Sequence, residues 1–259
     1  MDRASDPVLV FADNPGPLTG RGNNTWLLDG AAPTLIDAGT GVPTHLDALA
    51  AALGGRPLAR VLVTHGHPDH ASGVPALRER WPAIEVCAFA GVRIDPPVRP
   101  LADGEELPAG GARLVAVHTP GHAPDHLCFW DARRRWLFGG DLLMLGSTIM
   151  IPAGRGGNVR QYLASLDRVA ALGPSRVFPG HGPIIDQPAE LIAAYIEHRR
   201  EREEQILRAI DAGAADVDSI LPRVYPGLPE ALEWPARVTI EAHLEKLREE
   251  GRLPAAFPK

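Results

Sequence analysis

The chain is poor in cysteine. Its two thiols, Cys87 and Cys128, stand far apart and form no CxxC pair. They read as reduced, buried residues of a cytoplasmic protein rather than as a disulfide framework. No uninterrupted apolar run approaches the roughly 18 residues of a membrane span, so no membrane partner is expected. The opening MDRASDPVLVFADN has no basic patch followed by an apolar core, which argues against a secretory signal. A basic excess is also missing. The 26 Lys and Arg face 32 Asp and Glu, a net charge of −6, the wrong sign for a generic nucleic-acid coat. What is there is an ordinary globular mix, 45% apolar and 22% charged, which excludes global disorder. The 259 residues allow one large domain with a small appendage, and 27 Gly with 26 Pro announce many tight turns.

Residues 1–187 and 188–259 differ in pattern. The first part alternates short apolar runs with turn residues: VLVFA (8–12), TWLLD (25–29), TLIDAG (34–39), RVLVTH (60–65), IEVCAF (84–89), RLVAVH (113–118), HLCFWD (126–131), RWLFGGD (135–141) and RVFPGH (176–181). Each reads as a strand. Helical periodicity falls between them, at Thr44–Leu53, Val74–Trp81 and Asn158–Leu172, with Asn158 placed to cap the last. Strand-rich halves with interspersed helices predict an αββα sandwich, a layered α/β fold. The Gly-rich stretch 142–157 lacks periodicity and reads as a loop beside a site. From Ala189 the pattern turns helical: one long helix with a polar middle facing solvent, a short helix ended by Pro226 and Gly227, and a third helix stopped by Gly251. With a terminal strand RLPAAF, this tail resembles a small winged-helix unit.

The feature that carries chemistry is Thr64-His65-Gly66-His67-Pro68-Asp69-His70, directly after the apolar VLV. Four ligand-type side chains within six residues at a strand end can converge on one point. Chance alone yields HxHxDH roughly 0.001 times in such a composition. Gly121-His122, Gly140-Asp141 and Gly180-His181 each put another His or Asp after a glycine at a predicted strand end. Glycine there permits a sharp turn and close backbone approach. Five His and two Asp suffice for two divalent metals with open positions. A set without thiolate favours Zn²⁺, with Mn²⁺ or Fe²⁺ also fitting.

These seven residues, with the contexts TPGH (119–122), GGD (139–141) and PGHG (179–182), resemble the ligand pattern of the metallo-β-lactamase superfamily. The tail, together with NPGP (14–17) and GNNT (22–25), is similar to the β-lactamase-like protein 2 group of that superfamily. The resemblance implies that His65, His67 and His122 bind a first metal. It implies that Asp69, His70 and His181 bind a second, with Asp141 bridging. It further implies a hydrolase in which a shared, deprotonated water attacks an ester, thioester, lactone or phosphodiester, and in which Asp69 orients that nucleophile. Single-stranded RNA is one substrate class linked to the group. Two other readings compete: a mononuclear-iron redox enzyme on the same fold, and a nucleic-acid-binding module with a vestigial hydrolase core.

The remaining polar residues separate by context. His126 is a candidate for the pocket or for support of the ligands, Arg155 and Arg160 for gripping an anionic substrate group, and Tyr162 for donating a hydroxyl. His118 reads as structural, and His45, His198 and His243 as surface residues of helices. Arg133-Arg134-Arg135 reads as a hairpin turn. The partner expected is a small molecule or a short single-stranded nucleic acid. The tail carries ten Lys/Arg and fourteen Asp/Glu, a net of −4, so it is expected to pack and shape the site rather than grip a polyanion.

Overall fold

A computed structural model describes residues 6–17, 19–92, 94–95, 98–254 and 257. The first sheet runs in the order β1 (Val8–Phe11), β2 (Asn24–Leu28), β3 (Thr34–Ile36), β4 (Arg60–Leu62), β5 (Glu85–Phe89) and β6 (Arg99–Leu101). It is antiparallel up to β3 and parallel from β3 to β6. The second sheet has the order β11 (Arg176–Pro179), β10 (Trp136–Gly140), β9 (Leu127–Asp131), β8 (Ala112–His118) and β7 (Glu106–Ala109), antiparallel except for β10 with β11.

Period-two alternation builds the layers. Trp26, Leu28, Ile36, Leu62 and Cys87 of the first sheet face Leu114, Leu127, Phe129, Phe138 and Phe178 of the second. Their strand neighbours point outward. Leu27, Leu35, Val61 and Val86 receive α1 (Pro43–Leu53) and α3 (Val74–Arg80) through Leu49, Leu53, Val74 and Leu77. On the other side, Cys128, Trp130, Leu137 and Val177 receive α4 (Val159–Leu172) and the start of α5 (Pro188–Asp211) through Tyr162, Leu166, Val169, Ile192 and Tyr195. The result is the expected αββα sandwich, with both cysteines buried and free. Asn158 caps α4 by accepting the Gln161 N–H at 2.9 Å. A four-residue helix, α2 (Pro68–Ala71), lies inside the HxHxDH motif. Arg134 pairs with Asp131 at 2.7 Å in the turn between β9 and β10.

The far half of α5 leaves the sandwich. Ile206, Ala209 and Ile210 form a separate small core with α6 (Val217–Val224) and α7 (Glu233–Glu249), through Ile220, Leu221, Ile240, Leu244 and Leu247. One helix therefore starts at the expected boundary of 187/188 and contributes to both cores, Ile192 and Tyr195 to the sandwich and Ile206 and Ile210 to the tail. Among the described residues, no helix is long and apolar enough to cross a membrane.

Several expectations need correcting. The polar middle of α5 faces solvent only in part: Glu197, Arg200, Glu201 and Glu204 are exposed, but Arg199 and Glu203 are buried, and Glu203 accepts from Lys246 Nζ at 2.6 Å and from Arg252. His45 and His243 are buried rather than on the surface. His45 Nε2 lies 2.9 Å from Thr25 Oγ1, so it is tied to β2. His198 is half-buried. In RLPAAF, residues 252–254 and 257 form no strand, and 255–256 lie outside the described residues. Two strands were not expected from sequence, β6 and β7. Both are sheet edges, and each carries a proline, Pro100 and Pro108, that masks the strand signal.

Burial pushes the His243 ring down to about 3, and both its nitrogens lack a partner. The unfolded ring takes a proton below about pH 6.5. The neutral, buried ring thus contributes stability above pH 6.5 that is lost as the pH falls through the folded value. His243→Leu removes that pH dependence. The wild-type unfolding free energy, measured by urea titration, is expected to fall between pH 6 and 4 more steeply than the variant's. The difference approaches about 1.4 kcal/mol per pH unit for one proton.

Candidate metal centre

Every ligand-type residue picked from the sequence follows the C-terminal end of a strand: His65, His67, Asp69 and His70 after β4, His122 after β8, Asp141 after β10 and His181 after β11. Because β10 and β11 are parallel and β8 runs the same way across β9, their ends share one edge of the sandwich. Close approach there needs glycine. A methyl group at Gly180 would lie 2.8 Å from both Asp141 Oδ1 and His70 Cε1. At Gly121, whose φ is 140°, it would lie 2.3 Å from the Tyr162 Cα.

The seven side chains meet. His67 Nδ1 lies 2.9 Å from His65 Nε2 and 2.9 Å from His122 Nε2. Asp69 Oδ2 is 3.5 Å from His70 Nε2 and 3.4 Å from His181 Nε2. Asp141 stands between the two groups. Its Oδ2 is 3.5 Å from His122 Nε2, while its Oδ1 is 3.3 Å from His70 Nε2 and 3.5 Å from His181 Nε2. Donor atoms of the three-His group, and of the Asp69, His70 and His181 group, lie within 4.8 Å of one another.

Outer contacts decide which atoms carry lone pairs. His122 Nδ1 donates to the Met150 carbonyl at 2.7 Å, and His70 Nδ1 donates to Asp37 Oδ2 at 2.8 Å. With one proton per ring, both Nε2 atoms turn lone pairs toward the carboxylates. Those lone pairs repel unless a cation stands between them. Asp141 Oδ1 is buried without a hydrogen-bond partner, which fits a metal ligand. Without a metal, a second proton must serve. Burial disfavours a charged His70, yet Asp141 and Asp37 outweigh it and hold its pKa well above the ordinary histidine value. The pull that keeps this proton would equally keep a divalent cation.

The other half is electrically different. Burial, reinforced by His70 and His122, holds His65 well below the ordinary histidine value. Burial and His122 bring His67 down to about 4. Both rings are neutral at pH 7, as imidazole ligands must be. Burial opposes the charge on Asp141, but His70, His181 and His122 keep it ionised.

Sequence reading missed three residues that hold this centre. Asp37 receives His70, the Thr64 N–H at 2.7 Å and the Thr64 hydroxyl at 3.0 Å. Asn23 donates from Nδ2 to Asp69 Oδ2 at 3.0 Å. Asp125 Oδ2 accepts the Gly66 N–H at 2.8 Å and fixes the turn between His65 and His67. Asp37 in IDAG and Asn23 in GNNT follow or open apolar strands, which was the available signal.

The profile of the Metallo-beta-lactamase superfamily matches residues 18–88 and 86–181, and that of the Beta-lactamase associated winged helix domain matches 217–254. The chain belongs to the metallo-beta-lactamase superfamily. It is 34% identical to a Beta-lactamase-like protein 2 homolog of Drosophila melanogaster, over 96% of this chain and 90% of that one. It is 33% identical to the Atrochrysone carboxyl ACP thioesterase of Aspergillus fumigatus (strain ATCC MYA-4609 / CBS 101355 / FGSC A1100 / Af293), over 86% and 74%. Among solved structures, TTHA1623 in a di-iron-bound form is 33% identical, with a TM-score of 0.57 over 72% of this chain and 96% of that one.

Within this superfamily member, the expected substrate contacts fare differently from the seven ligand-type residues. Tyr162 is fully buried and donates its hydroxyl to the Leu142 carbonyl at 2.7 Å, so it packs the core instead of meeting substrate. Arg160 is exposed and pairs with Glu249 of α7 at 3.0 Å rather than with any of the seven. Arg155 is exposed on the turn Ala153–Arg155, which packs on α7, and it touches none of the seven. His126 is buried, and burial pushes its ring down to about 3. Its Nε2 accepts the Asp141 backbone N–H at 3.0 Å while Nδ1 lies 2.8 Å from Thr119 Oγ1. Fully buried, it supports Asp141 through that backbone N–H. His118 stacks on Phe89 with ring centroids 4.0 Å apart, in the structural role expected of it.

Asp37→Asn keeps the shape but weakens the charge-assisted acceptor for His70. Affinity for metal at the Asp69, His70 and His181 group is expected to fall about 10–100-fold, measured by chelator competition.

Proposed function

We propose that the chain is a dinuclear metal-dependent hydrolase whose substrate is a thioester or a closely related ester. The observation that carries this reading is Asp141, which turns one carboxylate oxygen to each of two ligand groups. His65, His67 and His122 would hold one cation, Asp69, His70 and His181 the other, and Asp141 both. The donor set of imidazole and carboxylate suits Zn²⁺, with Fe²⁺ or Mn²⁺ as alternatives. The di-iron form of TTHA1623 supports two metals on this fold. When bound, two such cations supply water that ionises near neutral pH and a Lewis acid for the scissile carbonyl.

The chain's own groups then do the positioning. Asn23 engages Asp69 Oδ2, which leaves Oδ1 to accept a hydrogen bond from the attacking water and orient it. Asp69 is kept ionised despite burial by His181, His70 and Asn23. Asp37 and the Met150 carbonyl fix the His70 and His122 rings, so their lone pairs need no reorganisation during the reaction. The thioester is favoured over RNA on two grounds. A relative matched over 86% of this chain and 74% of its own length is an Atrochrysone carboxyl ACP thioesterase, and the tail's net −4 repels a polyanion. The second ligand group speaks against a mononuclear-iron redox enzyme.

Turnover of short acyl thioesters is expected in metal-replete protein, to be lost on dialysis against a chelator and restored by added Zn²⁺, Mn²⁺ or Fe²⁺. Asp141→Ala should fold, because the two apolar layers hold a core of this size without metal. It should lose at least one cation, and kcat/KM should fall by about 10³-fold or more. Metal content and single-turnover assays on the variant check both. Faster cleavage of a phosphodiester than of any thioester would replace this substrate class.

A further inference from the structure

Residues 143–151 connect Asp141 to the turn before α4 and make no backbone–backbone hydrogen bonds among the described residues. Side chains from α5 must therefore hold them. Tyr195 Oη lies 2.8 Å from the carbonyls of both Met144 and Ser147 and accepts the Met144 N–H at 3.3 Å. One turn further along α5, Arg199 Nη2 donates to Thr148 Oγ1 at 3.0 Å and to the Ile149 carbonyl. The next carbonyl, Met150, is the one that fixes His122 Nδ1 at 2.7 Å.

Arg199 is a costly way to fill that space. It is 1% exposed, its guanidinium sits 5.3 Å from the Tyr162 ring centroid, and its Nε and Nη1 have no partner. An apolar side chain would avoid burying a charge with idle donors. What a long side chain ending in a nitrogen with two N–H groups can do here is reach two adjacent acceptors on the loop.

We infer that Arg199 is a positioning residue for His122, acting through the backbone of residues 148–150. By this strut, the helix shared with the C-terminal unit sets the three-His half of the metal centre. The geometry is independent of metal, while the effect on affinity rests on the dinuclear reading above.

The test uses full-length Arg199→Met, which keeps length and loses the donors. In metal-free protein, the His122 Nδ1–H resonance is expected to broaden or vanish through faster exchange. In a two-constant Zn²⁺ titration, one constant should weaken about tenfold, the low end for outer partners of a ligand, and the other less than twofold. Leu247→Ala, which opens the tail core away from the loop, should lower the melting temperature and leave the resonance and both constants unchanged. Tyr195→Phe, a gentler change at the other end of the same strut, should shift the resonance in the same direction. It carries the test if Arg199→Met fails to fold. A wild-type resonance and unchanged constants in the folded variants would overturn the inference. So would an equal shift in Leu247→Ala. If no Zn²⁺ binds to wild-type protein, the dinuclear reading fails, and the resonance alone still decides the strut.

Discussion

Asp141 Oδ1 is buried against His70 and His181 with no hydrogen bond of its own, while Oδ2 faces His122. This crowding of carboxylate and imidazole lone pairs is the constraint on which the rest depends. Such an arrangement is unfavourable in a low-dielectric interior without compensating positive charge. A proton on His70 satisfies part of it, and divalent cations satisfy all of it. Each outer contact keeps the crowding in place. Asp37 aims His70, Met150 aims His122, His126 holds the Asp141 backbone and Asn23 holds Asp69.

The sandwich makes that crowding affordable. Its apolar layers form on either side of two sheets and owe nothing to the ligands. The strand ends then deliver seven side chains from four separated segments to one edge. Asn24 reinforces the delivery: its Nδ2 donates to the Pro179 carbonyl at 3.0 Å and the Gly182 carbonyl at 2.7 Å, clamping the His181 turn to the first sheet. The tail adds a third layer of control through Tyr195 and Arg199, which grip the loop between Asp141 and α4.

Much of this was legible in the sequence for a local reason. A strand with one face on the inter-sheet core and one on helices reads as a short apolar run, so β2 to β5 and β8 to β11 stood out. A His or Asp beside glycine at the end of such a run is also a local signal, and five of the seven ligand-type residues came from it, Asp69 and His70 coming from the HxHxDH spacing. Edge strands β6 and β7 were hidden because proline is tolerated where no neighbour needs the N–H. Burial of Arg199, Glu203 and His45 was hidden because their partners lie far along the chain, and that of His243 because helix periodicity alone reads polar residues as solvent-facing. Tyr162 and Arg160 sat near the right loop in sequence but turn to the core and to Glu249. Proximity in sequence to a site does not fix the direction of a helical side chain.

The most direct measurement of the central claim is anomalous diffraction from crystals of metal-replete protein, collected on both sides of the absorption edge of the bound element. The account predicts two peaks about 3.5–4 Å apart, one within bonding distance of His65, His67 and His122, the other of Asp69, His70 and His181, with Asp141 between them. A single fully occupied peak, or two peaks that leave Asp141 uncoordinated, would contradict it.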